Sequence, residues 1–303
     1  QVLKGTMSEV KTKIWQMTEQ LPGYSWSPRS GGLAIVPLQW CDTLNRYVTN
    51  DLVNFNRQYQ WMDIYSAAKC IGKLGRIVQI ADELYDRDQS RYAAMQPLAV
   101  RMRDSLQIYL GRWLNGNSSI FYNGIPYQKD SLLYDTKFRG IISSRSHDSL
   151  NLNNGIDFGS ALYNDHHFHY GYLLYAAAVV AKKNPAWFTA NGNYYSNRVT
   201  DLAREIANPS RGDNYFALQR YKDWYDGHSW ANGLVPYGGG KNQESSSEAA
   251  NAWYGLYLFG LAMNNASPNA QYSNMLNQGQ LMLSQEVRAV QKYYYANQTN
   301  PVY

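Results

Sequence analysis

The chain has 303 residues, enough to bury a large core as one big domain or two small ones. Its net charge of +5 is modest, charged residues are only 17% of it, and Lys and Arg are scattered, so nothing in it suits a nucleic-acid surface. No run of 18 apolar residues exists to span a membrane, and the two cysteines, Cys41 and Cys70, exclude a disulfide framework while leaving a single bridge open.

The unusual number is aromatic content, 15%, with 27 Tyr and 9 Trp. Core packing accounts for much of it. Tyr and Trp also lay flat faces on sugar rings while their polar tips stay wet, which leans the composition toward carbohydrate. The first residues, QVLKGTMSEV, do not read as a signal peptide. Sequons at Asn117, Asn265 and Asn297 fit secretion, although an Asn-rich chain acquires such triplets by chance.

In chain order, residues 8–20 predict a short helix and LPGYSWSPRSGG a loop. Residues 38–62 alternate at helical spacing. Residues 63–85 form a strong amphipathic helix, with Ile64, Ala68, Ile71, Leu74, Val78, Ala81 and Leu84 on one stripe. A further helix covers 91–114, with Pro97 near its start or kinking it. Residues 115–161 are punctuated by Gly, Asn and Ser and predict a long inserted loop or small hairpin. Helical periodicity returns at 162–182 and 194–207. A polar, glycine-rich stretch at 208–243 precedes helices at 244–263 and 272–291. The count of seven to ten paired helices predicts an all-α fold. That leaves an irregular helical domain or, more sharply, a toroid of helical hairpins, an (α/α) barrel with long loop insertions, whose inner helices are apolar segments such as 162–182 and 244–263.

Two polar clusters open those apolar helices. In YNDHHFHYGY, Asp165, His166, His167 and His169 fall within five positions, although the chain has only five His. On a helix Asp165, His169 and Tyr172 share one face and present a carboxyl, an imidazole and a phenol to one place. In GKNQESSSEA, Ser245 to Ser247 favour a helix start, and Glu244 and Glu248 stand four apart in its first turn. Acids there also stabilise the helix dipole without any catalytic role. Their company, Trp224, Asp226, His228 and Trp230 upstream, favours chemistry. Close, partly buried carboxyls push their pKa values apart, as an acid/base pair requires, and two carboxyls among aromatic residues suggest glycoside hydrolysis. Metal binding fits less well, since adjacent His point in different directions and no HExxH is present. The Gly238–Gly240 run followed by Lys241 lacks phosphate-loop spacing, and no GxSxG elbow occurs. A structural role for His228 is as fitting as a substrate contact.

YNDHHFHYGYLLYAAAVVA at 163–181, DWYDGHSWANGL at 223–234 and GKNQESSSEAANAWYGLYLFG at 240–260 closely resemble glycoside hydrolase family 81, the endo-β-1,3-glucanases or laminarinases. AKCIGKLGRIVQIADELYD at 68–86 and LLYDTKFRGIIS at 132–143 match more weakly. The resemblance implies an (α/α)6 barrel and an inverting, cofactor-free and metal-free endo-β-1,3-glucanase acting on laminarin or curdlan. Asp165 would be the general acid and Glu244 the general base. Glu248 would be a second essential carboxylate, with the roles of the two Glu exchangeable. His169, Tyr172, Asp135, Thr136, Trp224, His228 and Trp230 would contact the substrate. Lys137, Phe138, Arg139 and Gly140 replace the family's usual turn after LLYDT. The expectation is a single barrel domain over 1–303, without the family's N-terminal β-sandwich, monomeric, and secreted or associated with the cell wall. The alternative is a β-glucan-binding module that kept the fold and lost the chemistry.

Overall fold

The computed structural model describes residues 8–14, 16, 18–27, 30–55, 63–116, 118–122, 125–147, 156–234, 238 and 240–295. Seven long helical segments dominate them: α1 Leu38–Val53, α2 Ile64–Arg87, α3 Met95–Leu114, α5 His166–Lys183, α6 Ala186–Ala207 (broken by non-helical backbone from Ala190 to Asn193), α7 Ser246–Ala266 and α8 Ala270–Tyr293, with a single turn, α4 Ser144–His147, between the third and the fifth. Their order and spacing follow the hydrophobic periodicity. Pro97 sits in the first turn of α3, where its missing N–H costs nothing.

The mostly helical architecture is that of the expected α/α fold. The inner helices α2, α5 and α7 pack side by side in that order, and α3, α6 and α8 back them. Burial explains this layering. In α5, 15 of 18 residues are buried, including the run Leu173, Leu174, Tyr175, Ala176 to Ala181, so no face is left for solvent. α2 is amphipathic and buries Ile64, Ala68, Ile71, Leu74, Val78, Ala81 and Leu84, the predicted stripe. Small residues let the inner helices close on each other. A Cβ on Gly171 would lie 2.6 Å from Ala252 Cα, and one on Gly255 would lie 2.8 Å from Tyr175 N, so α5 and α7 touch backbone to backbone. Between α3 and α2 a buried Arg103 guanidinium bonds Asp82 at 2.6 Å.

The insertion before α5 forms two antiparallel hairpins. β1 Ser118–Tyr122 pairs with β2 Ile125–Asp130, and β3 Leu132–Asp135 pairs with β4 Gly140–Ser143, Leu132 opposite Ser143 and Asp135 opposite Gly140. The second hairpin is tied to the helices: Glu205 of α6 accepts the Ile141 N–H at 3.0 Å, and Tyr170 of α5 donates to the Ile141 carbonyl at 2.7 Å.

Three local expectations change. The described part of 8–20 is irregular and mostly exposed, because a short helix without packed tertiary partners is marginal in water. The helix expected over 162–182 starts at His166, and that expected over 244–263 starts at Ser246. Asp165 and Glu244 therefore stand just ahead of their helices rather than inside them. Residues 56–62 of the expected helix 38–62, Asn117 and Asn297 lie outside the described residues; Asn265 is exposed near the end of α7. Both cysteines are free, Cys41 buried and Cys70 half-buried. Among the described residues no helix is long and apolar enough to cross a membrane.

Candidate active site

The N-termini of α5 and α7 meet through a loop that joins them. Asp165 donates its backbone N–H to the Ala231 carbonyl at 3.0 Å, and Ala231 donates in turn to the Asn242 carbonyl at 2.8 Å. Leu234 N–H reaches the Leu162 carbonyl at 2.8 Å, and Gly233 N–H reaches Asn164 Oδ1 at 2.9 Å. A Cβ on Gly233 would collide with the Leu162 carbonyl and the Tyr163 backbone, so only glycine lets the two segments lie this close. Asn242 Oδ1 then accepts the Glu244 N–H at 2.9 Å, which sets the turn that carries this carboxylate. Asp165 and Glu244 thus line one cavity of about 440 Å³, together with Ala231, Asn232, Gly240, Lys241 and Asn242.

Backbone handedness aims both acids. Asp165 has φ 61° and Glu244 has φ 64°, a conformation that L residues rarely adopt. Asp165 is the N-cap of α5 yet makes no capping hydrogen bond with its side chain. An Asp in that position ordinarily bonds the free N–H groups of the first turn, which favours its anion. Released from that role, the carboxyl is pushed up to about 8 by burial first, then by the charges of Glu244 and Glu248. It holds its proton at neutral pH. Burial, then Glu248, also raises Glu244 above its ordinary value.

Glu248, in the first turn of α7, behaves oppositely. Its Oε1 accepts Tyr172 Oη at 2.7 Å and Tyr65 Oη at 2.9 Å, with Lys69 Nζ at 3.6 Å. Burial opposes ionisation, but the hydrogen bonds from Tyr172, Ser245 and Tyr65 and the Lys69 charge outweigh it, so the carboxyl stays below its usual range. The site therefore holds a proton-bearing Asp165, a fixed anion at Glu248, and Glu244 between these extremes. Tyr65, Lys69 and Tyr172 also line a larger cavity of about 980 Å³, with Arg76, Tyr175, Asn251 and Tyr254.

The three clustered histidines divide. His169, one turn after Asp165, packs its ring against Tyr65 at 5.2 Å and Phe158 at 6.2 Å, and burial keeps it neutral. His167 is sandwiched between Tyr221 at 4.7 Å and Trp253 at 5.8 Å, its carbon skeleton serving as core and its pKa lowered to about 3 by burial. His166 is fully buried, with Nε2 2.8 Å from the Ser160 carbonyl and Nδ1 2.9 Å from Glu205 Oε1, which also faces Arg220 at 3.0 Å. Both ring nitrogens of His166 meet acceptors, so it ties the start of α5 to α6.

Of the other sequence candidates, Tyr172 reaches Glu248, as above. Asp135 caps the following turn, accepting the Lys137 N–H at 2.8 Å, and also accepts Tyr163 Oη at 2.8 Å. Thr136 is exposed beside it. His228 is buried, with Nδ1 2.8 Å from the Ser229 carbonyl and its ring among Trp230, Tyr293 and Tyr294. Trp230 donates to Asp223 at 3.0 Å and lies 5.7 Å from Lys241 Nζ, which lines the acid cavity. Trp224 lies on the surface with Lys222 Nζ 5.7 Å from its ring. Asp135, Thr136, Trp224, His228 and Trp230 are not among the residues lining the Asp165–Glu244 cavity. Sequence reasoning missed Tyr65 and Lys69, which sit at the polar edge of the α2 stripe and read there as ordinary surface residues. It also missed Asn232 and Asn242, whose role depends on a loop pairing with no periodic signature.

The profile of the glycosyl hydrolase family 81 C-terminal domain matches residues 38–303, nearly all of the chain. The chain belongs to glycoside hydrolase family 81. Among its family 81 relatives is a glucan endo-1,3-β-D-glucosidase of Arthroderma benhamiae, 38% identical over 303 residues that cover 98% of this chain and 30% of the relative. A primary septum glucan endo-1,3-β-D-glucosidase of Schizosaccharomyces pombe is 39% identical over 164 residues, 54% of this chain and 15% of that protein. A solved family 81 glycoside hydrolase from Clostridium thermocellum matches with a TM-score of 0.65 and 28% identity over 95% of this chain and 35% of that one. This family 81 chain thus spans about a third or less of the length of these relatives.

Proposed function

We propose that this chain carries the catalytic centre of an inverting endo-β-1,3-glucanase that cleaves internal bonds of laminarin- or curdlan-type glucans without a cofactor. The observation that carries this reading is the shared cavity lined by Asp165 and Glu244, whose charges interact and in which Asp165 holds its proton near pH 7. The names of the family 81 relatives support the substrate class.

In this mechanism Asp165 donates its proton to the glycosidic oxygen as the bond breaks. Glu244, ionised, takes a proton from a water that attacks the anomeric carbon from the opposite face of the sugar. Inversion needs room for that water, about 6.5–9.5 Å between the two carboxyls, and the cavity of about 440 Å³ that both line has space for a water molecule. Glu248 stays anionic, bonded by Tyr65 and Tyr172, and its charge adds to burial and to Glu244 in keeping the proton on Asp165. His169 and Tyr172 stand on the face of α5 that follows Asp165 and would orient the sugar. Trp224, Trp230, His228, Asp135 and Thr136 would contribute at the edges of the substrate path. The action would lie outside the cell or in its wall, a reading supported by the septum glucanase among the relatives.

The test is proton NMR of the anomeric signals at early times on laminarin, wild type beside Asp165→Asn. An α-anomer that appears first and is absent with the variant is expected. A β-anomer first would mean retention and overturn the pairing. No product from the wild type would favour a glucan-binding module.

A further inference from the structure

Phe158 is used by neither the core nor the acid/base pair. It sits in a run of three left-handed residues, Asp157 at φ 49°, Phe158 at φ 56° and Gly159 at φ 81°. Glycine accepts such a backbone freely and Asp tolerates it, whereas a bulky aromatic residue does not. Side-chain bonding braces the turn. Asn164 Nδ2 donates to the Phe158 carbonyl at 3.3 Å, and the Asn164 N–H reaches the Gly159 carbonyl at 3.2 Å. Asp157 is buried against the Ser143 hydroxyl, which also lies 3.0 Å from Asp130 Oδ1. A hydroxyl has one proton for these two carboxyls, so one carboxyl carries its own. Burial, then the Asp130 charge, pushes Asp157 up to about 7, which suits it to that part.

All this order presents a phenyl ring to solvent. Phe158 is 52% exposed, although Asp157, Gly159 and Ser160 around it are buried. Packing alone would have placed an aromatic ring the other way round, inside and on a relaxed backbone. The ring packs at a steep angle against Tyr65, centroids 5.0 Å apart at 72°, and against His169, 6.2 Å apart at 68°. Tyr65 is the residue that bonds Glu248 at 2.9 Å. The open ring is therefore one side chain away from Glu248. Strained backbone at a cleft is a pointer to function when, as here, neighbouring bonds over-determine it.

We propose that Phe158 is a stacking platform for one glucosyl ring of the glucan, seated on the Tyr65 and His169 side of Glu248. This rests on the glucanase reading above. The ring offers the apolar C–H face of the sugar a flat surface, and the adjacent Tyr65 hydroxyl and Lys69 ammonium offer polar partners to its hydroxyls.

The test combines binding and turnover in the full chain. Calorimetric titration of a β-1,3-linked glucose hexasaccharide into Asp165→Asn, with and without Phe158→Ala, should show about tenfold weaker binding without the ring, and Phe158→Tyr should restore it. In the otherwise wild-type chain, Phe158→Ala should raise KM on laminarin by a similar factor and shift the product lengths, while kcat changes less. Unchanged affinity, KM and product lengths in a folded Phe158→Ala would overturn the platform. Equal loss in Phe158→Tyr and Phe158→Ala would overturn it as well, since that pattern marks a structural role. Wild-type hydrolysis of laminarin is read separately, so a failed platform leaves the glucanase reading standing. An inactive wild type with no affinity for the hexasaccharide sinks both.

Discussion

Tyr172 donates its hydroxyl to Glu248 Oε1 at 2.7 Å and so joins the helix that follows Asp165 to the helix that follows Glu244. Because Tyr65 of α2 donates to the same oxygen, three inner helices converge on one carboxylate. Glu248 is thereby the fixed charge against which the other two acids titrate.

Activity should follow a bell-shaped pH profile. Asp165 must be protonated to act, and its pKa is pushed up to about 8, so kcat/KM is retained below that pH and lost as pH rises through it. Glu244 must be ionised, and its pKa is raised, so activity is lost on the acid side at a pH above the usual carboxylate range. Initial rates on laminarin across pH check both limbs. An alkaline limb at pH 5 or below would contradict the assignment of the acid.

The two Glu are separable. Glu244→Gln removes the base and should lower turnover by roughly 10²–10⁴-fold. Glu248→Gln removes a like charge from beside Asp165, so the alkaline limb should move to lower pH as well as the rate falling. The division of labour fails if Glu244→Gln keeps near-wild-type turnover while Glu248→Gln loses it.

Asp165→Asn should be inactive and more stable. In the folded chain Asp165 keeps its proton up to about pH 8, whereas in the unfolded chain it releases it near the ordinary value of 3.8. Between those two values the folded state binds more protons, so its stability falls as pH rises. A neutral Asn escapes that cost. Denaturant unfolding at pH 7 should show a gain of about 1–3 kcal/mol that disappears near pH 4. An equal effect at both pH values would show that the carboxyl is not perturbed.

Gly171→Ala should separate α5 from α7. The added methyl would fall 2.6 Å from Ala252 Cα, and backbone cannot move aside as a side chain can. A cost of about 1–3 kcal/mol in chemical denaturation is expected, with kcat reduced more than stability alone explains, because Asp165 caps one of the two helices and Glu248 sits in the first turn of the other. Wild-type stability in this variant would mean the helices do not meet there.

The helices were readable because their apolar stripes are periodic: the seven positions marked on α2 are all buried. The acid and base roles came with the family resemblance, but that Asp165, Glu244 and Glu248 gather where the two apolar inner helices begin was readable, because polar clusters open those segments in the sequence. Their exact stations were not, since a left-handed residue one or two places ahead of a helix leaves no trace in periodicity. The strap from Ala231 to Asp165 and Asn242 was invisible for the same reason, being backbone pairing between loops. His228 and Asp135 have hydrogen bonds within the fold that residue type alone could not reveal.

Between residues 157 and 165 four residues other than glycine hold a left-handed backbone: Asp157, Phe158, Tyr163 and Asp165. Glycine would sit more comfortably at each of them. A sequence chosen for thermal robustness alone would drift toward glycine along this stretch and erase, position by position, the carboxyl and the aromatic ring on which the proposed reaction and the proposed sugar platform depend. Under that proposal the best-folding sequence and the working sequence part company along this stretch.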